Sequence, residues 1–533
     1  MSERQLRRRA VLGAGLAGGL GIAGLGIGFG KDIARPGQPG SLLASRAKLP
    51  AAYQVPLPIP AVARPASTAG GTDHYAITQR PANARLLPGG LVTPLWTYGG
   101  TFPGPTIVAK RGRPVTVAHR NELDRPSVVH LHGGHTPHDS DGYPIDLIMP
   151  AGMKDMGGMH DSMPGMPRMP GMTLPKGDVT QGSRTYSYPS QQRAATLWYH
   201  DHVMGFTGPG VWHGLAGFHL VTDDEEAALP LPRGDRDIPL MIADRSFAAD
   251  GSFQYPAAPH GDPGVTRSWI NGVLGDVVLV NGAPWPTLEV DRARYRFRIL
   301  NASNARRYRL QLDPQPAGGG ALVQIGSDGG LLDRPRPHDR IDIAQAERFD
   351  VVVDFSRYKP GTQVELRNLF ASGGPGKVMR FTVRSTSGAA DDSRVPAKLS
   401  AIEPLAAGSA TVTRSFLFQR KGDGTGMGWT INGEDYHPGR TLAAPRLGRV
   451  ERWRFVTDVH HPIHVHLDPF QVVARNGASP GEYDHGWKDT IDLRSAESAE
   501  VLVRFSDYSG RFLLHCHNLE HEDMGMMADF TAS

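Results

Sequence analysis

The chain of 533 residues contains a single cysteine, Cys516. One thiol cannot form a disulfide within the chain, so the sequence excludes the disulfide frameworks that stabilise many exported proteins. Length alone allows about three domains at roughly 150 residues each, which is enough chain to bury large cores without cross-links. Cys516 is therefore either incidental or reserved for a special task.

An excess of one charge is also absent from most of the chain. The formal net charge is +4, and the stretch 1–40, with six basic and two acidic residues, accounts for all of it. The remainder is balanced and carries no basic stripe of the kind that nucleic-acid binding requires. We therefore expect no nucleic-acid partner.

Long stretches with helical periodicity are missing as well. The 65 glycines and 44 prolines are spread over the whole chain, which favours short strands joined by turns. Three segments, starting at Thr101, Asn281 and Ile431, resemble one another, each with a Gly/Pro turn followed by two strands with alternating polarity. We therefore predict an all-β protein of three sandwich domains with boundaries near 225–236 and 387–400.

The N-terminal 30 residues combine an arginine cluster with an apolar, glycine-rich run. Arg8 and Arg9 form the pair that is typical of a twin-arginine export signal. The alternative is a transmembrane anchor, but nine glycines between Gly13 and Gly30 make the run weakly hydrophobic for a permanent span. We expect an exported, periplasmic or extracellular protein that is a monomer without a stable membrane span.

Histidines are concentrated in four clusters, two in the N-terminal half of the chain and two near its C-terminus. On a β-strand, residues i and i+2 face the same side, so each H-x-H pair directs two imidazoles at one point. Four such pairs supply enough imidazoles for several metal ions. The second repeated segment lacks these histidines, so we expect the outer domains to build a shared site and the middle one to act as a spacer. The clusters are His130 and His132; His200 and His202; His461, His464 and His466; and His515, His517 and His521.

Cys516 lies between His515 and His517 and faces the opposite side of the predicted strand. The nearby ligand types are His521, Met526 and His461. Two imidazoles, a thiolate and a weak thioether are the ligands of a blue-copper electron-transfer centre. Zinc is the competing metal, but structural zinc sites usually close four Cys and His ligands at short spacings, which this sequence does not offer.

Other histidines show no such pattern and are expected to be ordinary surface or core residues. Three lie close to the clusters, and we expect them to be exposed to solvent rather than to support a metal site. The first group includes His74, His260, His338 and His485, and the three neighbours are His135, His138 and His460.

With these motifs, the chain resembles the three-domain multicopper oxidases, in particular the bacterial spore-coat laccase and bilirubin oxidase group. The resemblance runs from about Tyr53 to the end and includes "DSDGYP", "YPSQQRAATLWYHDH", "LVNGAPWPTLEV", "IGSDGGLL" and "GWKDT". It implies three consecutive cupredoxin-like Greek-key β-sandwich domains at 50–225, 236–388 and 400–533, after a signal and linker at 1–40.

The resemblance also implies four copper ions and their ligands. The type 1 copper would be bound by His461, Cys516 and His521 with Met526 as the axial ligand, although Met524 and Met527 lie close to it in sequence. The type 2 copper would be bound by His130 and His464. The type 3 pair would be bound by His132, His200 and His517 on one ion and by His202, His466 and His515 on the other.

Two carboxylates, Asp141 and Glu522, stand at positions where the family relays protons. A carboxylate near a metal centre can hand protons to a reacting oxygen species. The alternative for Asp141 is a purely local role, capping the turn before Gly142.

A methionine-rich stretch at 149–172 departs from the pattern of the family that the chain resembles. Proline and glycine exclude a regular helix there, so we expect a mobile loop within the first domain. Thioethers select Cu(I), and the loop is therefore predicted to collect cuprous ions; the alternative is a flexible insertion without ligands. Its methionines are Met149, Met153, Met156, Met159, Met163, Met166, Met169 and Met172.

Three function classes follow from these observations. The first is a laccase-type oxidase that takes electrons from phenols, aromatic amines or Cu(I) and passes them to O2. The second is a copper-sequestering protein of copper tolerance with little turnover. The third, a copper nitrite reductase, fits poorly because it needs one type 2 site rather than a three-copper ligand set.

Overall fold

The computed structural model describes residues 39–152, 177–385, 390–422 and 428–533. Most of the regular structure in these ranges is β-strand, and three short α-helices connect or follow strands. Within the described residues no helix is long and apolar enough to cross a membrane. The prediction of an all-β protein is confirmed.

The N-terminal third forms two four-stranded sheets, ordered β3-β2-β5-β9 and β4-β11-β10-β6, which we call the first sheet pair. Short strands β7 and β8 pair beside it. The strands are β1 (Ser41–Leu42), β2 (Asp73–Ala84), β3 (Thr93–Tyr98), β4 (Gly104–Lys110), β5 (Val115–Asn121), β6 (Val129–His132), β7 (Ile148–Met149), β8 (Thr180–Gln181), β9 (Ser183–Tyr188), β10 (Ala195–Asp201) and β11 (Ala216–Thr222), with helices α1 (Thr207–His213) and α2 (Asp224–Ala228).

The middle third forms the second sheet pair, with seven strands ordered β15-β14-β12-β17-β22-β19-β20 and five ordered β16-β24-β23-β18-β21. The strands of this third are β12 (Asp237–Arg245), β13 (Val273–Leu274), β14 (Val277–Val280), β15 (Ala283–Pro284), β16 (Thr287–Val290), β17 (Arg294–Asn301), β18 (Tyr308–Asp313), β19 (Leu322–Ser327), β20 (Gly330–His338), β21 (Arg340–Ile343), β22 (Arg348–Asp354), β23 (Gln363–Asn368) and β24 (Lys377–Val383). Of these, β13 lies outside both sheets and pairs with β1.

The C-terminal third forms the third sheet pair, with five strands ordered β26-β25-β28-β32-β30 and five ordered β27-β34-β33-β29-β31. Its strands are β25 (Val412–Arg420), β26 (Trp429–Ile431), β27 (Thr441–Ala443), β28 (Val450–Thr457), β29 (His461–Val465), β30 (Phe470–Arg475), β31 (Thr490–Leu493), β32 (Ser498–Arg504), β33 (Gly510–Cys516) and β34 (Met527–Ala532), and helix α3 (Leu519–Asp523) follows β33.

The same pairing pattern occurs in all three sheet pairs. In each sheet pair, both sheets contain one pair of parallel strands. These are β2 with β5 and β4 with β11 in the first sheet pair, β12 with β17 and β16 with β24 in the second, and β25 with β28 and β27 with β34 in the third. Alternation along the strands supplies the cores; in β28, Trp453 and Phe455 are buried while Arg454 between them is partly exposed. Each sheet pair thus encloses its own apolar core.

The chain between β1 and β2 runs along the second sheet pair before it enters the first. Strand β1 pairs in parallel with β13, and Tyr53 and Leu57 are buried in the second core. The resemblance implies that the first domain begins at residue 50, whereas the side chains of Tyr53 and Leu57 pack against the second sheet pair.

Candidate metal centre

Two pairs of antiparallel strands bring the histidine motifs together. In the first sheet pair β10 lies beside β6, and His200 is directly opposite His130. In the third sheet pair β29 lies beside β33, and His464 is directly opposite His515. Because residues opposite each other on one face have Cβ atoms about 5 Å apart, each strand pair presents four imidazoles as a block.

The two blocks face each other and form one buried chamber, which we call the histidine chamber. The rings of His130 and His466 stack with centroids 4.0 Å apart, and those of His132 and His464 with centroids 3.7 Å apart. All of its members are buried. They are His130, His132, His200, His202, His464, His466, His515 and His517.

Within the chamber the ring nitrogens converge in three groups, each with its ligand atoms within 4.8 Å of one another: His130, His132 and His464; His132, His200 and His517; and His202, His466 and His515. Among the described residues, Nε2 of His130, His200 and His464 and Nδ1 of His132 are buried without a hydrogen-bond partner. Unpartnered buried acceptors are costly, and several that converge on one point fit bound metal ions.

The protonation of the chamber also suits metal binding. Burial lowers the pKa of His200 to about 3 and that of His202 to about 4, and it holds the pKa of His130 well below the usual value. These three imidazoles are therefore neutral at neutral pH, which is the form that coordinates metals.

A second group lies on the other face of β33, and we call it the cysteine cluster. The Sγ atom of Cys516 is 3.4 Å from Nδ1 of His461 and 3.6 Å from Nδ1 of His521, and the two nitrogens are 3.0 Å apart. Met526 is fully buried in the same apolar core. Burial raises the pKa of the Cys516 thiol, so a metal ion would have to stabilise the thiolate.

Several of the rings are held by hydrogen bonds at their outer nitrogens. Nδ1 of His466 donates to the Asp141 carboxylate at 2.8 Å, and Nδ1 of His130 lies 2.5 Å from the Asp141 carbonyl oxygen. Nε2 of His461 is 2.9 Å from the Asp458 carboxylate. Such contacts select one tautomer and direct the other nitrogen at the metal position.

The two predicted relay carboxylates both lie against the chamber. Asp141 is 1% exposed, and burial raises the pKa of its carboxyl well above the usual value. Glu522 accepts a hydrogen bond from Thr207 Oγ1 at 2.7 Å and lies 3.2 Å from Nδ1 of His515. Burial alone would raise the pKa of Glu522, but the imidazoles of His515 and His202 outweigh it and lower that pKa.

Several expectations for neighbouring residues need correction. His135 and His460 are buried, not exposed, because carboxylates reach both of them: His135 lies 3.1 Å from Asp468, and His460 lies 2.6 Å from Asp492. His138 is exposed, as expected.

Met149 is not part of a loop. It belongs to β7 and is buried with Val128, Leu147 and Val203, because that apolar cluster gives its side chain a packing site. The other seven methionines of the run lie outside the described residues.

Sequence reasoning missed the residues that surround the rings. Trp198 stacks on His200 with centroids 4.2 Å apart, and Trp429 covers His521 at 3.9 Å. Asp489 lies 3.1 Å from Nε2 of His132. The phrase "GWKDT" contains Asp489, but nothing local to it indicates a contact with a histidine 357 residues away.

Two cavities flank the site. One, of about 660 Å³, lies beside the cysteine cluster and is lined by Trp429, Met204, Met524 and His437, among others. The other, of about 600 Å³, lies between the first and third sheet pairs and reaches Asp489 at the edge of the histidine chamber. The first cavity thus reaches Trp429, which packs on His521, and the second reaches Asp489, which contacts His132.

Comparisons with known proteins identify similar chains over almost the whole length. Two family models described as "Multicopper oxidase" match this sequence, one at residues 410–533 and the other at 82–155 and 147–226. A laccase of Bacillus stratosphericus is 37% identical over 88% of this chain and 97% of that protein. A bilirubin oxidase of Albifimbria verrucaria is 35% identical over 90% of this chain and 81% of that protein.

The fold is likewise similar to solved structures. A multi-copper oxidase from Pediococcus acidilactici superimposes with a TM-score of 0.77 at 30% identity, covering 94% of this chain and 95% of that one. The prediction of cupredoxin-type β-sandwiches is confirmed.

Proposed function

The chain belongs to the multicopper oxidase family and is a laccase-type, copper-dependent oxidoreductase, and we propose that the histidine chamber and the cysteine cluster hold its four copper ions. When bound, copper supplies one-electron redox chemistry, so that four electrons from a reducing substrate, four protons and one O2 yield two waters. The single observation that carries this proposal is the convergence of unpartnered, neutral imidazoles beside a thiol with two imidazoles of its own.

Each copper has a proposed ligand set. His461, Cys516 and His521, with Met526 axial, would hold the type 1 ion, and His130 and His464 the type 2 ion. His132, His200 and His517 would hold one type 3 ion, and His202, His466 and His515 the other. The grouping of ligand atoms within 4.8 Å supports these assignments.

The residues between the clusters offer a short route for electrons. Cys516 is covalently joined to His515 and His517, which face the chamber from the same strand. Nδ1 of His515 also lies 3.2 Å from the Cys516 carbonyl oxygen, which adds a hydrogen-bonded connection to the covalent one. We propose that the Cys516 thiolate passes electrons along this path.

Asp141 and Glu522 are the proposed proton carriers. Oδ1 of Asp141 is buried and makes no hydrogen bond within the described residues, so it has room to hold a proton while Oδ2 orients His466. Glu522 is connected to the Thr207 hydroxyl, which can deliver a proton to Oε1. The alternative for Asp141, a turn cap before Gly142, leaves its contact with His466 unexplained.

The reducing substrate is proposed to bind in the cavity of about 660 Å³ beside the cysteine cluster. Trp429 lines that space and packs on His521, so a phenol or aromatic amine held there would lie close to a proposed copper ligand. Cu(I) is the second candidate, because the run 149–172 is rich in thioethers. A role in copper tolerance would follow from that case.

The remaining proposals concern organisation and location. The recurrence of one pairing pattern in three sheet pairs supports three domains that are divided near 225–236 and 387–400. Arg8 and Arg9 support export by the twin-arginine route to the periplasm or the exterior, and we propose a monomer.

Oxygen uptake by the copper-loaded protein tests the proposed function. We expect steady uptake with a simple phenol or with Cu(I), and a Cys516→Ser variant should show neither while retaining copper in the chamber. Strong uptake with Cu(I) and little with the phenol would mark a cuprous oxidase. Binding of copper without uptake with either reductant would favour the sequestering protein.

A further inference from the structure

The second sheet pair supplies no ligand, yet one of its side chains reaches the histidine chamber through an intermediary. That intermediary is the segment at Asp489 and Thr490 in the third sheet pair. Oδ1 of Asp489 lies 3.1 Å from Nε2 of His132, and the Asp489 carbonyl oxygen accepts from Nδ1 of His464 at 2.9 Å. The Thr490 hydroxyl lies 3.2 Å from His132, 3.3 Å from His464 and 2.9 Å from Asp489. One dipeptide therefore orients two imidazoles.

Arg348, the first residue of β22 in the second sheet pair, forms hydrogen bonds to this dipeptide. Its Nη1 donates to Oδ1 of Asp489 at 2.9 Å, and its Nη2 donates to Oδ2. This bidentate pairing fixes both the position and the plane of the carboxylate. Arg348 is itself held rigidly, because its Nε donates to the Thr196 carbonyl of β10 at 2.9 Å and its Nη1 to the Ala346 carbonyl at 2.7 Å.

The side chain of Arg348 thus contacts all three sheet pairs. Thr196 belongs to β10, the strand that carries His200, while Asp489 directly precedes β31, which pairs with the His464 strand. The guanidinium group therefore connects the strand that carries His200 to the segment that contacts His132 and His464.

The backbone beside His132 also depends on this pair. Gly133 has a positive φ of 81°, and a Cβ atom there would lie 2.7 Å from Nη2 of Arg348 and 2.8 Å from Oδ2 of Asp489. The chain that leaves His132 is thus packed directly on the Arg348–Asp489 pair. The pair contacts His132 twice, at the ring and at the following peptide.

Stability is a poor explanation for these charges. Arg348 and Asp489 are both buried, and further buried charges adjoin them: Lys488 pairs with Asp328 at 3.0 Å and with Glu347 at 3.1 Å. Burying such pairs costs about as much as their attraction returns, and apolar replacements are often no less stable. A rigid geometry for the neighbouring imidazoles is what the pairing achieves.

Asp489 also differs from Asp141, the carboxylate on the opposite side of the chamber. Among the residues that the structure describes, no arginine or lysine pairs with Asp141. Asp489, in contrast, pairs directly with Arg348. The two-pronged contact with Arg348 fixes the Asp489 carboxylate, which suits it to orienting His132.

We propose that Arg348 is a positioning residue for the three-copper site: it locks Asp489 and thereby sets the direction of the His132 and His464 rings. The second sheet pair is then a working part of the copper site rather than a spacer. The inference rests on the proposed function, because it assumes that the chamber binds copper.

The test compares Arg348→Met, Arg348→Lys, Asp489→Asn and the double variant Arg348→Met/Asp489→Asn in the full chain loaded with copper. Chelator titration measures how tightly the chamber retains copper, and electron paramagnetic resonance reports the environment of the type 2 ion. We expect Arg348→Met to lower the affinity of the chamber for copper by about 10- to 100-fold, which is the usual effect of losing a residue that hydrogen-bonds to a metal ligand. The blue absorption of the cysteine cluster should stay unchanged and serves as a control within the same molecule.

Arg296→Met is the matched control variant. Arg296 is equally buried in the same sheet and pairs with Asp350 and Glu226, which make no hydrogen bond to the ten clustered histidines within the described residues. It should lose thermal stability without selective loss of chamber copper. Arg348→Lys keeps the charge but not the fork, and should fall between wild type and Arg348→Met.

The double variant separates the proposed path from other effects. If Arg348 acts through Asp489, adding Arg348→Met to Asp489→Asn should cost little further copper affinity; full additivity would overturn the proposal. The proposal would also be overturned if Arg348→Met left the copper affinity of the chamber and the paramagnetic resonance spectrum of the type 2 ion unchanged. Loss of the blue absorption in parallel with loss of copper from the chamber would overturn it too. Should Arg348→Met not fold, Asp489→Asn and Arg348→Lys carry the same test. Wild-type protein that binds no copper in the chamber would instead refute the proposed function.

Discussion

Replacing Asp141 by asparagine separates two tasks that this side chain is proposed to perform. Its Oδ2 accepts from Nδ1 of His466 at 2.8 Å, and its Oδ1 is free to hold a proton. Asparagine has nearly the same shape and keeps a carbonyl oxygen that can accept from His466, but its amide cannot give up a proton at neutral pH. Orientation of the ring should survive, and proton delivery should not.

The expected size of the effect follows from this separation. Loss of a positioned proton donor lowers a rate by about 10²- to 10⁴-fold, so kcat for O2 reduction in Asp141→Asn should fall within that range with copper content unchanged. Asp141→Ala removes the acceptor of His466 as well, and copper affinity should then fall by a further factor of about 10 to 100. Asp139→Asn is the matched control, since Asp139 is exposed two residues away.

The assay has two stages. Without O2, a reducing substrate should bleach the blue absorption of the cysteine cluster equally fast in wild type and Asp141→Asn, because Asp141 is not part of that cluster. With O2, reoxidation should be slow only in the variant. A wild-type rate of reoxidation in Asp141→Asn would refute the relay, and a loss of copper equal to that of Asp141→Ala would show that its role is structural.

Three further predictions follow from other parts of the structure. Met526→Leu should raise the reduction potential of the type 1 ion in a spectroelectrochemical titration, because the axial thioether is lost. Met524 is partly exposed, and Met524→Leu should leave that potential unchanged. Cys516→Ser should abolish the blue absorption and lower the copper content by one ion per molecule, as measured by elemental analysis. Burial would lower the pKa of His135, but Asp468 and Asp507 outweigh it and raise that pKa. The contribution of protonated His135 to the stability of the folded state is complete below the unfolded pKa of about 6.5, and it is lost as pH rises through the folded pKa. In urea unfolding, His135→Gln should therefore be most destabilising at low pH.

The strand alternation in the sequence is sufficient to predict that the imidazoles converge. A period of two places both histidines of an H-x-H motif on one face, and Cys516 on the other, whatever the rest of the chain does. The recurrence of one turn-and-strand pattern predicts three sandwiches for the same reason, since each copy has the same sequence of turns and alternating strands.

The supporting residues could not be predicted in this way. Arg348 and Asp489 lie in separate sheet pairs, and in the sequence each is indistinguishable from an exposed charge. His460 carries no local sign of burial either, because burial is set by the approach of Asp492 from β31. Such contacts depend on how distant strands pack, and a single sequence does not encode that packing as a short motif.

The histidine chamber has a consequence for how the protein is made. His132 and its partner Asp489 are 357 residues apart, so the ribosome releases one half of the chamber long before it synthesises the other. Domains emerge and fold from the N-terminus onward, and a nascent chain that ends before β33 offers the incoming metal only incomplete coordination. With the proposed ligand sets, loading of the full complement of copper would wait for complete translation, and metal in the chamber would require that the C-terminal strands have folded and docked.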